Sequence, residues 1–137
     1  MEDKDFMLEA IKGARKSGFR FGAVIAKDGE ITAKAGKRPE NDLRFHAESQ
    51  AIFNAGKDLS GCTFFATCEP CAMCFYLAWA TKISRIVYGA TIKDAVEIFG
   101  PEISISTEEL NERSGNKIEL KKEFMREECL KLLKGID

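Results

Sequence analysis

The sequence predicts an α/β fold in which a mixed sheet is sandwiched by helices, and three observations lead there. Some segments carry apolar residues at helical spacing, whereas others are short apolar runs of strand-forming residues. The segments follow in the order helix, hairpin, helix, strand, helix, strand, so the later strands are joined by helical crossovers. Finally, 137 residues with 21 Lys+Arg, 22 Asp+Glu and 45% hydrophobic residues have the balance of one globular domain, residues 1–137, whose core needs no staples.

Phe6, Leu8, Ile11 and Ala14 recur at helical spacing between acidic starters and Lys16-Ser17-Gly18, which predicts a first amphipathic helix over residues 4–17. Strands are expected from Phe19 to Ala26 and from Ile31 to Ala35. Between them, Lys27-Asp28-Gly29-Glu30 supplies the Asp-Gly pair of a tight hairpin. Residues 37–45 are polar and contain Pro39 and Asn41-Asp42, a loop signal. A helix-compatible run from His46 to Ala55 ends before Gly56, and a buried strand is expected from Thr63 to Thr67. Pro70 is expected at or near the first turn of the next helix, where its missing N–H costs nothing, and that helix runs through Trp79. Ile83 to Gly89 reads as a strand. Short helices are expected around Ala95 and from Thr107 to Asn111, then a segment from Lys117 to Leu120 and a charged helix from Lys122 to Leu133.

A net charge of −1 argues against strong sequence-independent attraction to nucleic acid phosphates, which needs clustered Lys and Arg. The longest strongly apolar stretch, Cys71 to Ala80, is half of the roughly 20 residues that span a bilayer, and the first ten residues are acidic rather than signal-like. No membrane partner is expected. Five cysteines, with Cys68, Cys71 and Cys74 close together, suit a disulfide framework poorly and point to a reducing, cytoplasmic setting.

The chemistry concentrates at two helix starts, His46-Ala47-Glu48 and Pro70-Cys71-Ala72-Met73-Cys74. Cys71 and Cys74 are three apart, on one face of a first helical turn, where a positive helix end favours thiolate. His46 supplies a third ligand. Three N and S ligands leave the fourth tetrahedral position of a zinc ion open, as in a catalytic rather than a structural site. Glu48, two residues from His46, is placed to take a proton from water and hand it to a departing group. Competing readings are a redox-active or half-structural Cys-x-x-Cys pair, and a cluster of Cys68, Cys71 and Cys74 that leaves the lone histidine idle.

Taken together, His-x-Glu followed 25 residues later by Pro-Cys-x-x-Cys is the zinc deaminase signature, and most of the chain resembles the cytidine deaminase superfamily. Phe21-Gly22-Ala23-Val24-Ile25, Thr67-Cys68-Glu69-Pro70-Cys71 and Trp79-Ala80 are most similar to the bacterial guanine deaminase branch, with tRNA adenosine deaminases a close second. The resemblance implies a three-layer α/β/α fold with a central mixed sheet of about five strands, a homodimer, and hydrolysis at an amine-bearing carbon. It implies zinc held by His46, Cys71 and Cys74, with Glu48 as proton shuttle. Asp94-Ala95, Gly100 and the acidic run ending Glu108-Glu109 are similar to the C-terminal part of guanine deaminases, where another carboxylate assists proton transfer; Glu102 is the candidate for it here. Ala47, Lys37, Phe45 and Phe21 are the substrate-binding candidates.

Two departures from the family pattern fall on the pocket rim. Lys37 stands at the best match to the family's base-binding Asn, and Asn-Asp-Pro-Thr-Ala-His becomes Asn41-Asp42-Leu43-Arg44-Phe45-His46. Lys37, Arg38 and Arg44 either recognise an anionic substrate group or are simply solvated. Phe45 either stacks on a base or packs, whereas Trp79 is expected in the core, Met73 in the pocket wall or core, and Cys62 and Cys129 as small buried hydrophobes. The expected function is deamination of a nucleobase or nucleoside, guanine leading. Adenosine in tRNA, cytosine or cytidine, and a catalytically silent zinc-binding relative are the alternatives.

Overall fold

The computed structural model describes residues 1–35, 42 and 44–136. Lys37 and Arg38 lie outside the described residues. Helix α1 (Asp3–Ser17) opens with a capping box from Glu2 and Asp5, and ends at Gly18, whose left-handed backbone (φ 75°) lets the Phe19 N–H close back on the Ala14 carbonyl. That turn corrects the expected strand start. Residues 19–22 wrap beneath α1, with Phe19 and Phe21 packed on the core, and β1 runs over Ala23–Lys27. Strand β2 (Glu30–Lys34) follows through Asp28 and Gly29, both at positive φ (53° and 78°), the two-residue hairpin that the Asp-Gly pair predicts.

The remaining elements are α2 (Ala47–Ala55), β3 (Thr63–Cys68), α3 (Ala72–Ala80), β4 (Arg85–Ala90), α4 (Ile92–Phe99), α5 (Thr107–Arg113), β5 (Glu119–Lys121) and α6 (Arg126–Lys134). The charged helix thus starts four residues later than expected. Glu123 and Met125 adopt left-handed backbone, and the Phe124 N–H donates to the Tyr88 carbonyl, so residues 122–125 form a turn against β4. Pro70 likewise precedes the helix, because Cys71 is the N-cap of α3.

The sheet order is β2-β1-β3-β4-β5, with β1 antiparallel to β2 and β3, and β3, β4 and β5 mutually parallel. Alternation along the strands divides the core in two. Val24, Phe65 and Val87 pack under α1, α4 and α6; Ile25, Phe64, Ala66, Ile86 and Tyr88 pack under α2, α3 and α5. This is the expected three-layer α/β/α arrangement on a five-strand mixed sheet. Among the described residues no helix is long and apolar enough to cross a membrane.

Candidate active site

Strands β1 and β3 place the starts of α2 and α3 side by side. His46 is the N-cap of α2 and Cys71 the N-cap of α3. The approach to His46 is fixed from within α2: the Ser49 hydroxyl donates to the carbonyls of Arg44 (2.9 Å) and His46 (3.0 Å), and the Gln50 amide donates to that of Phe45 (3.4 Å). Both residues are buried. The approach to Cys71 is fixed by the Glu69 N–H, which donates to the Ala90 carbonyl (2.8 Å), and by the Phe75 N–H, which donates to the Cys71 carbonyl (2.8 Å).

His46 Nδ1 lies 3.6 Å from Cys71 Sγ and 3.6 Å from Cys74 Sγ. With zinc bonds of about 2.3 Å to sulfur and about 2.0 Å to nitrogen, the N···S edge of a tetrahedron is about 3.5 Å, so both nitrogen–sulfur spacings suit that ion. These three residues form the metal-capable group among the described residues. Cys68 is outside it: its buried thiol points at the Thr91 carbonyl (3.8 Å), which removes the three-thiol alternative. Two helix N-termini face the cluster, and their N–H dipoles favour the thiolate form. The Cys74 thiol, together with His46, holds Cys71 down to about 4. Cys74 itself is pushed up by the neighbouring Cys71 and by burial. A bound cation would favour the thiolate form of both cysteines.

Glu48 sits in the first turn of α2, only 5% exposed, and burial pushes its carboxyl up to about 7. The negative charges of Cys71 and Glu102 act in the same direction, against the opposing effect of His46. Glu102, in the 100–106 connector between α4 and α5, is raised by burial and by Cys71. Glu102 itself is exposed, as are its neighbours Pro101, Ile103 and Ser104.

The other candidates are distributed around this centre. Ala47 is the buried first residue of α2. Phe45 is half-buried, with the Arg44 guanidinium 5.5 Å from its ring centre, and Arg44 is held by Asp42 (2.9 and 2.6 Å) rather than extended toward a ligand. Phe21 is half-buried against Phe99, ring centres 5.5 Å apart. Trp79 is not in the core: it stacks with the exposed Tyr76 at 5.9 Å in a surface groove between α3 and α5. Met73 is also exposed, whereas Cys62 and Cys129 are buried as expected.

Sequence reasoning passed over Glu69. It is 7% exposed, and its carboxylate accepts from the Ile92 N–H (3.0 Å), the Thr107 N–H (2.8 Å) and the Thr107 hydroxyl (2.9 Å). Its signal was available in the chain: a charged residue wedged between a buried strand and a helix start has to find partners.

A mixed sheet that presents His, Cys, Cys and a buried carboxylate at two convergent helix starts has the architecture of a metal-dependent hydrolase. Residues 1–90 match the family model described as the cytidine and deoxycytidylate deaminase zinc-binding region, and the chain belongs to this family as a deaminase of the cytidine deaminase superfamily. It is 30% identical to the tRNA-specific adenosine deaminase of Streptococcus pyogenes serotype M18 over 96% of this chain and 87% of that one. Among solved structures, it resembles a tRNA:A34 deaminase (TM-score 0.72, 25% identity, 95% of this chain and 97% of that one). The guanine deaminase from Nitrosomonas europaea shares its fold (TM-score 0.82, 21% identity, 98% and 84% covered).

Proposed function

We propose that this chain removes an exocyclic amine from a purine by hydrolysis, breaking the C–N bond, forming a carbonyl and releasing ammonia, with free guanine as the leading substrate. The observation that carries the reaction is the buried Glu48 carboxyl beside the His46, Cys71 and Cys74 donor set. His46, Cys71 and Cys74 would hold the zinc ion, which when bound would supply a polarised water. Glu48 carries a proton from the attacking water to the departing nitrogen, a role that suits a carboxyl raised to about 7. Ala47 and Cys71, at the two helix starts, offer backbone groups to the base, and Phe21 and Phe45 offer aromatic edges to a flat ring. Glu102 is the second proton-transfer carboxylate of this reading, and the similarity of the segment from Asp94 to Glu109 to guanine deaminases is what favours guanine.

Adenosine within tRNA is the second substrate reading, supported by the tRNA-specific relative that matches nearly the whole chain. Ammonia release by zinc-loaded protein is measured with guanine, adenine, cytosine, their nucleosides and an anticodon stem-loop, with Glu48→Gln as control. Release from guanine alone supports the first reading. Release from the stem-loop alone, falling steeply with salt, replaces it with the second. A Glu48→Gln variant that still turns over refutes the mechanism.

The homodimer implied by the resemblance can be tested at the exposed Tyr76 and Trp79 pair beside Leu110, between α3 and α5. If a partner covers it, Trp79→Glu should shift sedimentation from dimer to monomer.

A further inference from the structure

Glu69 is a charged side chain inside the protein that the proposed reaction does not use. Its carboxylate meets the first residue of two helices, Ile92 of α4 and Thr107 of α5. Each contributes a backbone N–H that has no partner within its own helix, and both helix starts present positive dipole ends to the negative charge. Ile92 and Thr107 are 4% and 0% exposed, so no solvent can take over these bonds. The Thr107 hydroxyl adds a third bond.

The geometry points to a consequence for the site. Everything between those two anchors, namely α4 and the 100–106 connector with Glu102, is fastened at both ends to one carboxylate. That carboxylate is two residues from Cys71. We propose that Glu69 is a positioning residue, which fixes the segment carrying Glu102 relative to the metal-binding helix start by tying the first residues of α4 and α5 to the chain leading into Cys71. This rests on the role proposed above for Glu102.

Gln at position 69 keeps the shape but has one oxygen. Its NH₂ can still donate to the Thr107 hydroxyl, while the Thr107 N–H loses its acceptor. In the zinc-loaded full chain, Glu69→Gln should lower kcat for ammonia release about tenfold or more with KM nearly constant and zinc content unchanged, the effect of a misplaced group in the reaction geometry. Amide exchange across residues 93–107 should accelerate. The discriminating measurement is the Glu69→Gln/Glu102→Gln pair: if Glu69 acts through Glu102, adding Glu69→Gln to Glu102→Gln should cost less than about twofold.

Full multiplication of the two losses overturns the proposal, as does zinc loss in proportion to lost activity, or kcat and exchange both at wild-type levels. Thr107→Val, which removes the hydroxyl's bonds to Glu69 and Tyr88 but keeps the backbone N–H bond to Glu69, serves if Glu69→Gln does not fold. It should show a smaller loss with the same dependence on Glu102, and Thr107→Ser should restore wild-type rates. Should the wild-type chain turn over no purine, the proposed function fails, and exchange decides the inference alone: unaltered protection of residues 93–107 in Glu69→Gln refutes it.

Discussion

Gly89 lies on β4 where α6 comes closest to the sheet. A Cβ placed there would overlap Cys129 Sγ, stand 2.7 Å from Cys129 Cβ and 3.0 Å from the Thr67 carbonyl oxygen. Cys129 is fully buried on α6 beside Leu132 and Leu133, so Gly89→Ala can be accommodated only by lifting the helix or spreading the sheet. Overpacking of this kind costs about 1–3 kcal/mol. With a wall on both sides the upper end applies, and about 3 kcal/mol in a domain of this size lowers Tm by about 10 °C. Cys129→Ala alone removes one sulfur from a full core and should cost about 1 kcal/mol. In the double variant the worst overlap disappears, so the combined loss should fall short of the sum by at least about 1 kcal/mol. Calorimetry and urea unfolding of the zinc-loaded proteins measure all three. Losses that add to within about 0.5 kcal/mol would refute the steric reasoning.

Three further outcomes follow from the site and the ion pairs. His46→Ala should reduce bound zinc from one ion per chain to a small fraction, measured by metal analysis after dialysis, while far-UV dichroism is kept; full retention would remove His46 from the ligand set. In metal-free protein, Cys71, lowered to about 4, should be the first of the five cysteines alkylated by iodoacetamide at pH 6, with zinc protecting it. Mass mapping that finds another cysteine modified first would contradict that assignment. Asp3, held by Arg85 (2.7 and 2.8 Å) and Lys121 (2.9 Å), is lowered to about 2. Its folded value is below the unfolded one of about 3.9, so its stabilisation is present above about pH 4 and lost as pH falls toward 2. Asp3→Asn should therefore cost about 1 kcal/mol at pH 7, after allowance for solvent screening, and almost nothing near pH 2. Equal urea midpoints at pH 7 would exclude the pair as a stabiliser.

The parts of the fold that were legible in the sequence are those fixed by local chemistry. Asp28-Gly29 determined the hairpin because both positions need positive φ, and the apolar runs read as strands from Thr63 to Thr67 and from Ile83 to Gly89 lie on β3 and β4, the second starting two residues later at Arg85. The donor set was legible because metal ligation requires particular residue types at particular spacings. What escaped was set by contacts distant in sequence. The late start of α6 depends on Phe124 bonding to Tyr88 of β4, whereas the late start of β1 is local, set by the Gly18 turn that closes Phe19 on Ala14. Trp79 followed core spacing, yet the groove it occupies lies outside the core. Glu69 could be quoted as part of a motif, but its partners at Ile92 and Thr107 are 23 and 38 residues away.

The two outer strands of the sheet also say how copies of this chain can meet. A sheet margin with free N–H and C=O groups invites another strand to pair with it. Here one margin, β2, alternates exposed Glu30, Thr32 and Lys34 with half-buried residues, and a bulge opposite Ile25 and Ala26 breaks its register. The other, β5, is three residues long and carries Glu119 and Lys121. Charge, brevity and irregularity make both margins poor templates for ribbon-like growth. A second copy of this chain would therefore have to meet it through the helical surfaces, where an assembly can close on itself.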